Sequence, residues 1–290
     1  MASVETSTIR GLDVDRLAKG YAEVDYIFKR YCNVSTMKGD SIRWYQETYG
    51  DLDATSPSTL LSSRLGEPET LEAEWTRNTS YPKKYFVRSH ISVEDIQSAD
   101  LDVLRTTVRK LTRAIVKQVD AHIWDVMSES QSPSLIQTFA TTAVGGDQWD
   151  AADYAADIMK DLMRAKKMIR NYDYDPEGAI LMLDPTGYES LVNWLVSGKG
   201  TYWTEFGSEK IKTGEVMKIC GLKVVVSNNV TTDYAMVFVP QRATTFKQYM
   251  PTKSVVIDEP GMHKEVRVWE AGVAYNTDPK AIVLITGINS

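Results

Sequence analysis

The stretch SVEDIQSADLDVLRTTVRKLTRAIVKQVDAHIWDVMSE, residues Ser92–Glu129, decides the fold. Its apolar positions Leu104, Val108, Leu111, Ile115, Val119, Ile123 and Val126 are spaced four, three, four, four, four and three residues apart. That is one continuous stripe on a 3.6-residue period, and it predicts a single helix of more than about thirty residues. Ser92 with Asp95 three residues on resembles a capping box, with Asp in place of Glu or Gln, and Ser132-Pro133 stops the run. Such a helix is roughly 50 Å long, well beyond the usual three or four turns. A coiled coil needs a second helix of matching length, and the chain offers none. A membrane span is excluded because Arg105, Arg109, Lys110, Arg113 and Lys117 interrupt every apolar window. What remains is a one-faced helix lying along a sheet or across a flat domain.

Composition bounds the rest. A chain of 290 residues has room for two domains, and 43% hydrophobic content supports ordinary cores. A net charge of -6 argues against a protein whose main task is gripping nucleic acid, though not against one that stands beside DNA without holding it. Cys32 and Cys220 lie far apart and give no disulfide framework, so a reduced compartment is expected. The polar start, Met1 to Arg10, has no apolar signal core and does not suggest secretion. Asn33, Asn78 and Asn229 begin Asn-x-Ser/Thr triplets, read here as chance matches in a chain rich in Ser and Thr.

Outward from the long helix the chain changes character. Leu12, Val14, Leu17, Tyr21, Val24, Ile27, Phe28 and Tyr31 predict an amphipathic helix of about twenty residues at the start. Between Ser35 and Arg88 apolar runs are short, and strands are expected only at Ile42–Glu47 and Lys84–His90. The residues between them are too poor in apolar content for a core of their own, yet Trp44, Tyr45, Tyr49, Trp75, Tyr81, Tyr85 and Phe86 are out of place in a solvated linker. An arm stabilised by contacts outside its own domain fits both facts. Beyond the long helix the pattern is α/β. A helix is expected over Ala151–Asn171, a buried strand at Ala179–Leu183 and a helix from Asp184-Pro185 to Val196. Next come a loop bearing Gly198, Gly200 and Gly207, a hairpin about Gly221, and strands at Ala235–Val239, Ser254–Asp258, Glu265–Tyr275 and Ala281–Thr286.

No catalytic set emerges. His90, His122 and His263 are not spaced as metal ligands, and neither a His-Glu-x-x-His nor a Cys-x-x-Cys pair occurs. Gly198-Lys-Gly-Thr201 departs from a phosphate loop in lacking the first glycine and in following a helix. Asp147, Asp150, Asp153, Asp157 and Asp161 recur at helical spacing and read as a helix start with a solvated face. No catalytic residue, cofactor or metal is assigned.

The order of parts is itself informative: helical arm, extended loop, long helix, α/β region with an aromatic glycine-bearing loop, and late sheet strands. That order resembles the major capsid proteins of tailed bacteriophages and tailed archaeal viruses, the Hong Kong 97-type shell fold that encapsulin compartments share. The run Phe86-Val-Arg-Ser-His-Ile-Ser-Val-Glu-Asp-Ile-Gln-Ser-Ala-Asp-Leu-Asp102 is similar to the family's passage from loop strand into spine helix, and Asp120 falls where a spine-helix acid is usual. Leu181–Leu191 resembles the strand-to-helix step of the axial domain, Gly221–Asn228 its hairpin, and Ala235–Val239 the strand after it.

The resemblance implies an α+β Hong Kong 97-type capsid fold with an N-terminal arm over 1–34 and an extended loop over 35–88. It places a peripheral domain with the spine helix at 89–134 and 252–290, and an axial domain at 135–251. It implies a non-enzymatic major capsid protein that self-assembles into pentamers and hexamers of an icosahedral virion shell, built in the host cytoplasm around double-stranded DNA without reading its sequence. Arg43, Trp44, Lys83 and Lys84 would lie on the intersubunit loop, and Tyr202, Trp203 and Phe206 would approach the symmetry axis. Partners would be further copies of the chain, with portal and decoration proteins and no membrane; a start at Met1 without a large scaffolding segment implies a separate scaffold or none. Two rivals remain at this point: an encapsulin-like compartment, whose particles would hold protein rather than DNA, and an α/β enzyme, which would be a stable monomer.

Overall fold

In chain order the computed structural model has β1 (Ser3–Val4), helix α1 (16–22), β2 (Asn33–Thr36), β3 (Ile42–Glu47), β4 (Trp75–Ser80) and β5 (Lys83–Ser92). Then follow α2 (Val93–Ser98), α3 (Val103–Met127), β6 (Gln137–Ala140), α4 (Ile158–Arg170), β7 (Ile180–Leu183) and α5 (Pro185–Val196). The chain closes with β8 (Lys218–Ile219), β9 (Leu222–Val226), β10 (Tyr234–Phe238), β11 (Thr244–Glu259), β12 (His263–Asn276) and β13 (Ile282–Thr286). The structure describes residues 3–4, 16–22, 25–47, 75–98, 102–128, 135–144, 146–151, 157–196 and 218–289.

Two sheets carry the fold. The first runs β1-β11-β12-β5, with β2 parallel to the far end of β11. The second has the order β6-β13-β10-β7-β9-β8. Strand alternation divides the second sheet between two cores. Ile180, Met182, Met236, Phe238, Ile282 and Leu284 join the core under α3, whereas Leu181, Leu183, Ala235, Val237, Val283 and Ile285 join the core under α4 and α5. A strand buried on both faces reads as a continuous apolar run, as Ile180–Leu183 does. One sheet thus belongs to both cores and ties them together.

Local chemistry fixes the ends of these elements. Asp184 caps α5, its carboxylate accepting the backbone N–H groups of Thr186 and Gly187 at 3.2 and 2.9 Å. Cys220 and Gly221 both have positive φ, 50° and 78°, as the tight β8–β9 turn requires. In β11 the register with β12 shifts between Gln248 and Lys253, and Pro251, which has no N–H for a ladder, sits in that irregularity. Across from it, a Cβ on Gly272 would lie 2.4 Å from the Phe246 ring and 2.9 Å from the Lys247 carbonyl. No larger residue fits there without movement.

The stretch expected as one helix is two. Ser92 caps α2, accepting the Asp95 N–H at 3.0 Å as its sequence signal implies. A second cap then intervenes: Asp102 is not helical (ψ 85°), and its side chain accepts the Arg105 N–H at 3.0 Å to open α3. The continuous apolar spacing concealed this break, because an Asp-x-x-Arg start carries no hydrophobic mark. Within α3, the spine helix, the buried stripe is wider than expected: Val108, Ile115, Val119 and Ile123 are joined by Thr112, Val116, Trp124 and Met127, and Leu111 is only half-buried. Its far end is stitched to neighbours by Trp124 Nε1 donating to Thr231 Oγ1 (3.0 Å) and Asn276 donating to the Val126 carbonyl (2.8 Å).

The N-terminal arm, expected as an amphipathic helix reaching Tyr31, leaves the helical path by Tyr26 and is built into this core. Ala18, Ala22, Tyr26, Phe28 and Cys32 are buried in the core under the spine helix, and Phe28 packs on Trp124 with ring centroids 5.8 Å apart. Two buried carboxylates grip it from opposite layers. Asp120 of the spine helix accepts the backbone N–H groups of Ile27 (2.8 Å) and Lys29 (3.3 Å). Glu270 of β12, wholly buried, pairs with the Lys29 ammonium and accepts hydrogen bonds from the Tyr26 hydroxyl and from Thr252 (2.9 Å). Burial pushes the Asp120 carboxyl up to about 6, against the pull of its backbone donors and of Lys29.

Two outcomes follow for unassembled subunits. The Asp120 carboxyl is raised in the folded state, so the folded chain holds more protons than the unfolded one between about pH 4 and 6. The stability of wild type relative to Asp120→Asn should therefore fall as pH rises through that window, by about 2 kcal/mol, and level off above it. Urea midpoints across pH 4–7 check this, and a constant difference contradicts it. Gly272→Ala should cost about 1–3 kcal/mol through overpacking against Phe246, read as a lower urea midpoint with unchanged slope.

Candidate assembly surfaces

Among the described residues β3 and β4 pair only with each other, Ile42 opposite Ser80 through Glu47 opposite Trp75. A lone two-stranded ribbon is marginally stable in water. Trp44 ties it to the body by stacking on Tyr275 at the end of β12 (4.7 Å between centroids, 19° between planes), and within the ribbon its Nε1 donates to Ser80 Oγ at 3.0 Å. Trp44, expected on an intersubunit loop, is thus engaged within its own subunit, while Arg43 and Tyr45 on the same ribbon are exposed.

Lys83 and Lys84 are not in that ribbon. They open β5, which pairs antiparallel with β12, Lys83 opposite Gly272 and Lys84 opposite Ala271. Residues 83–88, read as the end of the extended loop, therefore run in the first sheet. Lys83 Nζ lies 3.5 Å from Nδ1 of His122, a buried imidazole on the spine helix. Burial, with the Lys83 charge second, pushes His122 down to about 4, so the ring is neutral near pH 7 and can accept from the ammonium. Lys84 extends over the Phe86 ring, 5.8 Å from its centroid. The other three residues named from sequence, Tyr202, Trp203 and Phe206, lie outside the described residues.

β5 and β12 have two unlike faces. Val87, Ile91, Val266 and Val268 turn toward the spine helix. On the other face Phe86 is 49% exposed and packs beside Trp269 (6.5 Å), flanked by Arg88, His90, Arg267 and buried Glu265. Arg267 holds Glu265 at 2.7 Å, and His90 and His263 meet edge to face at 4.6 Å. A surface of aromatic and guanidinium groups has the composition of a protein interface. The sequence reading missed this face, although alternation along 83–92 and 263–276 marks it.

The acidic series gives one correction. Asp161, expected on a solvated face, is buried and accepts the Trp149 Nε1–H at 3.0 Å, and burial raises its carboxyl above the usual range. Among the described residues no group of three or more His, Cys, Asp or Glu side chains is placed to hold a metal. None of the described helices is long and apolar enough to cross a membrane.

A family model described as phage capsid protein matches residues 82–285, from the start of β5 to β13. No curated protein sequence matches. Among solved structures, the capsid of the cyanophage P-SCSP1u is 17% identical with a TM-score of 0.68, covering 91% of this chain and 89% of that one. The virus-like particle from Pyrococcus furiosus is 14% identical with a TM-score of 0.64, covering 96% and 100%. A chain of Mycobacterium phage Che8 is 14% identical with a TM-score of 0.63, covering 87% and 86%. At these identities the likeness speaks for the fold, and the family rests on the model spanning most of the chain. With a Hong Kong 97-type capsid fold and that match, the chain belongs to the phage capsid protein family and is a shell-forming capsid protein.

Proposed function

We propose that this chain tiles a closed icosahedral shell as pentamers and hexamers and encloses double-stranded DNA, as a structural protein rather than an enzyme. The observation that supports this best is the β3–β4 ribbon, which among the described residues pairs only with itself, held on a body with two cores. A ribbon of that kind gains its stability by lying on a neighbouring copy. In this reading the ribbon and residues 48–74 form the intersubunit loop, and the aromatic face of β5 and β12 receives it, with Lys84 at its margin. The arm over 1–34, the loop over 35–88, the peripheral parts at 89–134 and 252–290 and the axial part at 135–251 would serve as in other shells of this fold. Tyr202, Trp203 and Phe206 would meet their copies about the symmetry axis. Scaffold, portal and decoration proteins are the partners such a shell would take, and assembly would occur in the host cytoplasm.

Electron microscopy of the concentrated purified protein should show closed particles of uniform size. Particles from infected cells should contain DNA; particles filled with a second protein would point instead to a storage compartment, and a stable monomer at all concentrations would contradict the proposal. We expect the shells to be held non-covalently, Lys83 being engaged by His122 rather than by a neighbour. Boiled particles should give one band near 32.6 kDa, and a ladder of reductant-resistant multimers would show otherwise.

A further inference from the structure

The bases of this acidic chain are unevenly placed. Between Val103 and Val119 the spine helix carries Arg105, Arg109, Lys110, Arg113 and Lys117 and no acid, whereas the whole chain has a net charge of -6. All five are exposed, on the side of the helix turned away from the buried stripe. First and last lie twelve positions apart, roughly 18 Å of helix. The exposed residues among them are Thr106, Ala114 and Gln118, so the stripe offers no aromatic or large aliphatic group.

The immediate contacts leave most of this charge unspent. Arg113 pairs with Asp25 at 3.0 Å. Arg105 Nε donates to the Tyr21 hydroxyl at 2.9 Å, and the Arg109 guanidinium lies 5.7 Å from the same ring, so a neutral side chain positions both. The Lys110 and Lys117 ammonium groups have no hydrogen-bond or ion-pair partner among the described residues, and the Lys117 carbonyl accepts from Asn229 Nδ2 at 3.2 Å. The stripe ends at an open groove of about 250 Å³ that Arg113 and Lys117 line with Asn228 and Asn229; its acids are Asp25, already held by Arg113, and Asp120, which holds the arm.

We propose that this stripe faces the interior of the shell and binds the phosphate backbone of the enclosed duplex DNA without regard to sequence. The inference rests on the capsid reading above. Exposed bases on long flexible stems, with Tyr21 as the one aromatic group beside them and no large apolar side chain exposed on the helix between them, suit backbone neutralisation better than a protein interface, whose centre is aromatic and apolar. The aromatic groups lie on the opposite face of the same sheet, at Phe86 and Trp269, so the two sides of the peripheral region differ in the partner they fit. The rival occupant is residues 48–74 of a second copy, which hold six acids against Arg64 alone.

The test is a Lys110→Glu/Lys117→Glu variant, with Lys110→Gln/Lys117→Gln as a milder form and Lys167→Glu, on the exposed side of the equally basic helix α4, as a control. Unassembled subunits are titrated against a fluorescein-labelled 30-base-pair duplex by anisotropy at several salt concentrations, and shells are scored by electron microscopy. The Glu variant should bind at least about tenfold more weakly, and its plot of log affinity against log salt should be shallower by about 2. The Gln variant should show a smaller loss, the control none, and all should form shells. Wild type without measurable DNA binding, or variants with unchanged affinity and slope, would overturn the inference. So would variants that bind DNA normally and form no shells, an outcome that assigns the stripe to the acidic segment of a neighbour. If wild type forms no shells but loses DNA binding on substitution, the capsid reading fails and the stripe's affinity for DNA stands.

Discussion

The burial of one face of the spine helix against β5 and β12 is the constraint on which the other parts depend. Val108, Val116, Val119 and Ile123 leave water there, and each such side chain contributes about 1.5–3 kcal/mol on burial. A helix of 25 residues with charge on its other side has nowhere else to put that stripe. Its docking also creates the seat of the arm, since Asp120 can accept Ile27 and Lys29 only when the helix is in place. Glu270 closes the seat from the sheet side. A buried ion pair such as Lys29–Glu270 adds little net stability, because desolvation offsets attraction, but it specifies position. The arm therefore has one register.

The shared sheet turns these local choices into a single body. Each of β7, β10 and β13 places alternate residues in two cores, so a distortion under the spine helix is felt under α4 and α5. That rigidity suits a subunit that must meet its neighbours at fixed angles. The β3–β4 ribbon stands outside it. Charge is segregated in the same spirit: exposed bases on the side of the spine helix turned away from the sheet, aromatic and guanidinium groups on the far face of the sheet. A closed shell has an inside and an outside, and a wall built this way presents different chemistry to each.

Much of this was legible in the sequence because a buried stripe or a buried strand must show its period. Val108 through Ile123, Ile180–Leu183, the Asp184-Pro185 start and the turn at Gly221 all follow from patterning and cap chemistry. What escaped depends on contacts distant in sequence. Asp102 restarts the helix through a polar cap that leaves the apolar spacing intact. Asp161 sits in a series of surface-like acids, and only Trp149, twelve residues earlier, makes it a buried one. Lys83 and Lys84 look like loop residues until β12 arrives from nearly two hundred residues away to pair with them. Glu270 breaks the inward row of Val266 and Val268, which is a legible sign that a buried charge awaits a partner, but not of which partner.

In the capsid reading the body folds by itself and the ribbon is stabilised by neighbouring copies. Hydrogen–deuterium exchange on free subunits and on assembled shells tests this most directly. Exchange should be slow in α3, β7, β10 and β13 in both states, and slow in β3 and β4 only in the shell. Equal protection of β3 and β4 before and after assembly would contradict it.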